Sequence, residues 1–210
     1  LPVRLYGDDD HEHGSGDAHA GEELDPHWWQ DPVNVRFASA RITSRLSEVN
    51  PGATGYYDGR LRRFANQVRN LTDRTAACVR RVPADQRKIV TDHDAFAYFT
   101  NRFGIETVGT VIPALTTEAQ PSAGELADLE KTIRDENVKA VFPEESVSPA
   151  LSEAVSRDTG ATTDYTLYGD TLGPEGSPGE TWLGSMKSNA DSVVAGMTGG
   201  TGTCFGGPGD

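Results

Sequence analysis

Two histidines and an aspartate, His27, His93 and Asp170, stand in the three stretches of this chain best suited to chemistry. They lie in Asp25-Pro26-His27-Trp28-Trp29-Gln30-Asp31-Pro32, in Thr91-Asp92-His93-Asp94-Ala95-Phe96 and in Tyr168-Gly169-Asp170-Thr171-Leu172-Gly173. Two imidazoles and a carboxylate are a ligand set for a divalent transition metal. Their wide spacing excludes a finger or ribbon, so only tertiary folding can gather them. Trp28 and Trp29 can cover one face of the His27 ring while Asp25 or Asp31 orients it through its second nitrogen. His93 sits at a turn before Ala95 to Phe99, where a helix N-terminus disfavours imidazolium and favours the neutral, ligating ring. Asp170 lies in a glycine-containing loop, where a buried carboxylate needs a positive partner. Each residue taken alone has a plainer reading: a packed histidine, a helix-start residue with Asp92 or Asp94 as the cap, and a solvated turn. Glu144 and Glu145 are weaker candidates, suited either to an exposed loop or to supporting the ligands.

The positions of these residues depend on the elements around them. Asp31 is a good N-cap and Pro32 suits a first turn; Val35, Ala38, Ile42, Leu46 and Val49 then keep helical spacing until Asn50-Pro51-Gly52. Tyr57, Leu61, Phe64, Val68, Leu71, Thr75, Cys78 and Val82 continue it, with no glycine or proline from Arg60 to Val82. At about 1.5 Å per residue this second helix reaches roughly 40 Å. Beyond Lys88 the pattern is α/β: strands at 88–91, 105–112, 138–142 and 162–167 alternate with helices near 94–103, 122–136, 148–159 and 180–197. Ser122 and Glu125 form a capping box, Ser148-Pro149 is a cap followed by proline, and Gly104 and Gly160 occupy C-terminal positions. The expectation is a parallel sheet of about four strands flanked by helices. Ligands gather beyond the carboxyl ends of such strands, which places His93, Glu144 and Asp170 on one rim.

Composition excludes some partners. The chain has 210 residues and a formal net charge of -13, which repels nucleic acid and attracts cations. No signal peptide or long apolar span is present, so a membrane anchor would lie outside the chain. Cys78 and Cys204 can bond to each other, or remain one buried and one loose thiol; they do not form a zinc or thioredoxin motif. Residues 8–19, with His11, His13 and His19, read as a mobile acidic, histidine-rich loop. Residues 199–210 hold six glycines and one proline and read as a disordered tail.

Together, Asp-Pro-His-x-Trp-x-Asp-Pro, Thr-Asp-His-Asp-Ala-Phe-x-Tyr-Phe and Asp-Thr-Leu-Gly followed by Gly-Glu-Thr-Trp-Leu-Gly resemble the zinc/manganese-binding solute-binding proteins of ABC importers. The likeness covers most of residues 25–198. It implies two βα lobes bridged by one rigid spine helix: 1–52 as a remnant of the N-terminal lobe, 53–83 as the linker helix, 84–198 as the C-terminal metal-binding lobe and 199–210 as the tail. It also implies that His27, His93 and Asp170 are the second, third and fourth ligands, the first being a histidine upstream of this chain. A histidine at the third position points to Zn(2+) over Mn(2+). The implied activity is extracytoplasmic zinc capture by a monomer that delivers it to an ABC permease, the loop histidines making the first encounters. The alternatives are a zinc-dependent hydrolase, with Glu144 activating water but without a His-Glu-x-x-His motif, and a surface adhesion or structural domain with incidental metal.

Overall fold

The computed structural model describes residues 24–206. The histidine-rich loop at 8–19 and the last residues of the expected tail, 207–210, lie outside the described residues. Asp31 opens the first helix as its spacing predicts, its carboxylate accepting the Val33 N–H at 2.8 Å with Pro32 in the first turn. This helix, α1, runs Pro32–Val49. Its apolar residues Ile42, Leu46 and Val49 are 60%, 44% and 74% exposed, so that stripe adds nothing to the core among the described residues. α2, Thr54–Val79, is 26 residues long, starts earlier than its apolar spacing indicates and takes in Gly55 and Gly59. Its fully buried side chains, Val68, Leu71, Thr75, Cys78 and Val79, all fall in its second half.

β1, Lys88–Thr91, is central in a parallel sheet of order β2-β1-β3, flanked by β2, Glu106–Thr110, and β3, Val141–Phe142. Among the described residues the sheet therefore has three strands, not four. The segment 162–167 adds only isolated bridges, Ala140 to Thr162 and Glu144 to Leu167. Between them the Thr162 hydroxyl donates to Asp164 Oδ2 at 2.6 Å and accepts the Asp164 N–H at 3.2 Å. These local side-chain bonds compete with a strand ladder.

Among the described residues four further α-helices follow: α3, Ala97–Phe103; α4, Ala123–Asp135; α5, Ala150–Thr159; and α6, Trp182–Thr198. Side chains alternate across the sheet. Ile89 and Phe142 join Leu71, Phe99 and Val193 on the α2, α3 and α6 face, and Val90 and Val141 join Ile133 and Val155 on the α4 and α5 face. The Ser122–Glu125 capping box forms, and Gly104 and Gly160 end their helices at φ 69° and 80°. Ser148 does not cap α5, whose N-cap position is Pro149; nor does Asp92 or Asp94 cap α3, which starts after Phe96. Among the described residues no helix is long and apolar enough to cross a membrane.

The glycine-rich segment after α6, expected to be a disordered tail, is tied down at Cys204 and Phe205. Cys78 and Cys204 form a disulfide with Cα atoms 5.4 Å apart, fastening this segment to the end of α2. Asp191 Oδ1 accepts the N–H groups of Cys204 and Phe205, and the Arg74 guanidinium lies 4.5 Å from the Phe205 ring centroid. The covalent tie and these contacts outweigh the freedom that glycine gives the chain.

Candidate metal centre

β1 ends at Thr91 against the buried core, and its last residue sets the turn that carries His93. The Thr91 hydroxyl donates to the His93 carbonyl at 2.9 Å, and the Asp92 carbonyl accepts the Ile112 N–H at 2.7 Å. The His93 ring is thereby fixed at 0% exposure. β3 ends at Phe142, and Glu144 two residues later turns inward, 2% exposed. Its Oε1 lies 2.7 Å from His93 Nδ1 and accepts the His93 backbone N–H at 3.1 Å. Behind it, Asp92 Oδ2 accepts the Glu144 N–H at 2.8 Å and Asp92 Oδ1 accepts from the Ser152 hydroxyl. Of the two acids that followed β3 as weak candidates, Glu144 is therefore a buried support for His93, while Glu145 is exposed.

His27 has a parallel arrangement. It is 2% exposed, its Nδ1 is 2.6 Å from Asp25 Oδ1, and that oxygen also accepts the His27 N–H at 2.8 Å. Asp25, not Asp31, therefore orients the ring. Asp31 caps α1 and pairs with Arg102 through bonds of 2.8 and 2.5 Å. Trp29 meets the His27 ring edge-on, with centroids 5.4 Å apart. A carboxylate at each Nδ1 places the proton there in the neutral ring and leaves Nε2 as the free lone pair.

Those two Nε2 atoms converge on Asp170. His27 Nε2 is 3.2 Å from Asp170 Oδ1, and His93 Nε2 is 3.5 Å from Oδ2. Potential ligand atoms of the three residues all lie within 4.8 Å of one another, a set that could hold a metal ion. The 3.5 Å approach does not make a hydrogen bond, and His93 Nε2 is buried with no hydrogen-bond partner among the described residues. Such an orphaned atom is costly unless something else occupies its lone pair. The rim thus gathers all three residues singled out by sequence. Their side chains differ in exposure: the imidazoles are buried, whereas Asp170 is 34% exposed.

The charge balance favours a cation. Asp25, Asp92, Glu144 and Asp170 surround the two imidazoles, whereas Arg102 is paired with Asp31. Burial opposes the charged form of His93, but the Glu144 hydrogen bond and charge, with Asp170 and Asp92, outweigh it and raise its pKa. This reverses the expectation that a helix N-terminus keeps the ring neutral, because α3 begins only at Ala97 while the carboxylates are adjacent. Asp92 is also pushed up, chiefly by burial, against the lowering effect of the Ser152 and Glu144 hydrogen bonds.

Sequence reasoning did not reveal how the Asp170 loop is held. Trp29 Nε1 donates to the Gly169 carbonyl at 3.1 Å, and Asn189 of α6 bonds both the N–H and carbonyl of Tyr168 at 2.8 and 2.9 Å. Gly169 has no room for a side chain: a Cβ would run into the Glu144 carboxylate. Gly169→Ala is expected to push Glu144 off His93, destabilising the protein by about 1–3 kcal/mol and weakening metal binding about 10–100-fold. Thermal melts and a metal titration check both effects, and an unchanged affinity would show that Glu144 does not support the site.

A family model described as "ZnuA: Zinc-uptake complex component A periplasmic" matches residues 2–196. The manganese-binding lipoprotein MntA of Halalkalibacterium halodurans is 30% identical over 175 residues, 83% of this chain and 58% of that protein. The metal ABC transporter substrate-binding lipoprotein SloC of Streptococcus mutans is 28% identical over 174 residues, covering 83% and 56%. The structure of the periplasmic zinc-binding protein TroA from Treponema pallidum superposes with a TM-score of 0.75 at 26% identity, covering 83% of this chain and 64% of that one. The chain thus spans less than two thirds of each of these relatives.

Proposed function

Because this chain belongs to the ZnuA family of zinc-uptake complex components, we propose that it captures zinc outside the cytoplasm for delivery to an ABC permease. The observation that carries this reading is the meeting of His27 Nε2, His93 Nε2 and the Asp170 carboxylate, with each ring held from behind by a buried acid. Two neutral imidazoles suit zinc better than the oxygen-preferring manganese ion. Relatives are named for manganese as well as zinc, so the preference for zinc rests on this donor set.

The ion is cargo and undergoes no chemical change. His27 and His93 would donate nitrogen lone pairs and Asp170 an oxygen, while Asp25 and Glu144 retain the Nδ1 protons and stop the rings turning. Glu144, the acid that a hydrolase would need to activate water, faces Nδ1 of His93, the nitrogen on the other side of the ring from Asp170. That placement favours capture over catalysis. The disulfide fits an oxidising, extracytoplasmic location. The division into an N-terminal remnant at 1–52, a linker helix at 53–83 and a metal lobe at 84–198 is part of the same proposal.

Isothermal titration of metal-free protein with zinc, and with manganese in competition, tests the reading. One zinc should bind and manganese should not displace it; failure to bind zinc would overturn the proposal. Acid should release the ion, because zinc needs the neutral ring. The raised pKa of His93 sets the sign: as pH falls through that value, which lies above the ordinary 6.5, a proton takes the place of the metal at Nε2. Zinc affinity measured across neutral and mildly acidic pH should begin to fall above 6.5. A curve flat through that range would contradict the role given to His93.

A further inference from the structure

We propose that Gln30 is a positioning residue for Asp170, the side chain through which the segment carrying His27 also sets the place of the carboxylate. This rests on the reading of His27, His93 and Asp170 as metal ligands. Gln30 ends the 3-10 turn Trp28–Gln30, between His27 and the Asp31 cap of α1, and is 1% exposed. Its Nε2 donates to the carbonyls of Tyr168 and Gly169 at 3.2 and 3.0 Å, the two residues before Asp170. Its Oε1 is buried with no hydrogen-bond partner among the described residues. A primary amide that spends its donors on one loop and leaves its oxygen bare is placed for donation. Packing alone would be met at less cost by an apolar side chain of similar length.

The loop needs such a hold. Residues 168–173 form no helix or strand, and beside them is a hollow of about 250 Å³ whose lining includes Gln30, Leu172, Trp182 and Met186. Without restraint the loop has room to relax into it, carrying Asp170 away from the two Nε2 atoms. Asn189 fixes the loop at Tyr168, but the restraints on Gly169, next to the ligand, come from Trp29 and Gln30. Trp29 also packs on the His27 ring, so its removal would disturb two ligands at once. Among the described residues the side-chain hydrogen bonds of Gln30 go to the loop alone, which makes it the cleaner probe. A displacement of residues 27–31 would move His27 and loosen Asp170 together, coupling the two ligands during release.

The test uses Gln30→Met, which keeps the length and removes both donors, with Gln30→Leu as a second variant if the first folds poorly. Zinc affinity and chelator-trapped dissociation are measured in the wild-type and Asp170→Ala backgrounds. The visible spectrum of the cobalt(II) form reports the ligand set. The expected result is an affinity loss of about tenfold or more, expressed as faster dissociation, with a cobalt spectrum shifted toward that of Asp170→Ala and almost no further loss in the Asp170→Ala background. Wild-type affinity and spectrum in the variant would overturn the role of Gln30. So would an equal loss in both backgrounds, which is the mark of a general loosening. Failure of the underlying site reading looks different: Asp170→Ala itself would then bind zinc as tightly as wild type.

Discussion

His93→Ala is expected to weaken zinc binding by more than about 100-fold, or about 2.8 kcal/mol, and this is the largest single effect anticipated on function. Changes to residues that only support a ligand cost about 10–100-fold, and His93 is proposed to touch the ion itself. Its Nε2 is buried with no hydrogen-bond partner among the described residues, and its Nδ1 is already committed to Glu144. Alanine would remove the donor and leave Glu144 Oε1 with only the backbone N–H of residue 93. Competition against a chromophoric chelator gives the affinity, and circular dichroism separates lost binding from lost folding. A tenfold or smaller loss in a folded variant would remove His93 from the ligand set.

Breaking the Cys78–Cys204 disulfide should lower stability by about 2–5 kcal/mol while leaving zinc affinity nearly unchanged. The bond closes a loop with a sequence separation of 126, so in the unfolded chain it removes much conformational freedom. In the folded chain it holds the segment after α6, along with the Phe205 contact to Arg74 and the Asp191 bonds to two backbone N–H groups. Cys78 is buried at 2% exposure, so Cys78→Ala leaves a small void, and Cys204→Ala is the milder partner for comparison. Urea unfolding of oxidised wild type, reduced wild type and the double alanine variant should show a loss in both of the last two, the double alanine variant losing slightly more because of the void. A reduced protein as stable as the oxidised one would show that the noncovalent contacts suffice.

Much of the site was legible before any coordinates because its ligands sit at element boundaries with strong local signals. Asp31-Pro32 marks the start of α1, placing His27 just ahead of a helix, and the short apolar run ending at Thr91 places His93 just beyond a strand. Glu144 has no such signal: two consecutive acids after a strand look alike in sequence, and only the fold turns one toward His93 and leaves the other in water. The stretch 162–167 has strand composition, but local Thr162–Asp164 bonds and two isolated bridges take the place of a ladder. The composition of the glycine-rich end predicts a loose segment, and a disulfide to a residue far away in sequence ties it down.

The sequence by itself determined the helices, the parallel α/β alternation and the three residue types that meet at the rim, because periodicity, caps and turn residues act over a few neighbours. Tertiary structure decided which acid stands behind each imidazole, which direction the His93 proton equilibrium moves, and how Gln30 reaches the Asp170 loop. Those outcomes depend on burial and on hydrogen bonds between residues distant in the chain, and neither quantity has a value until the chain has packed.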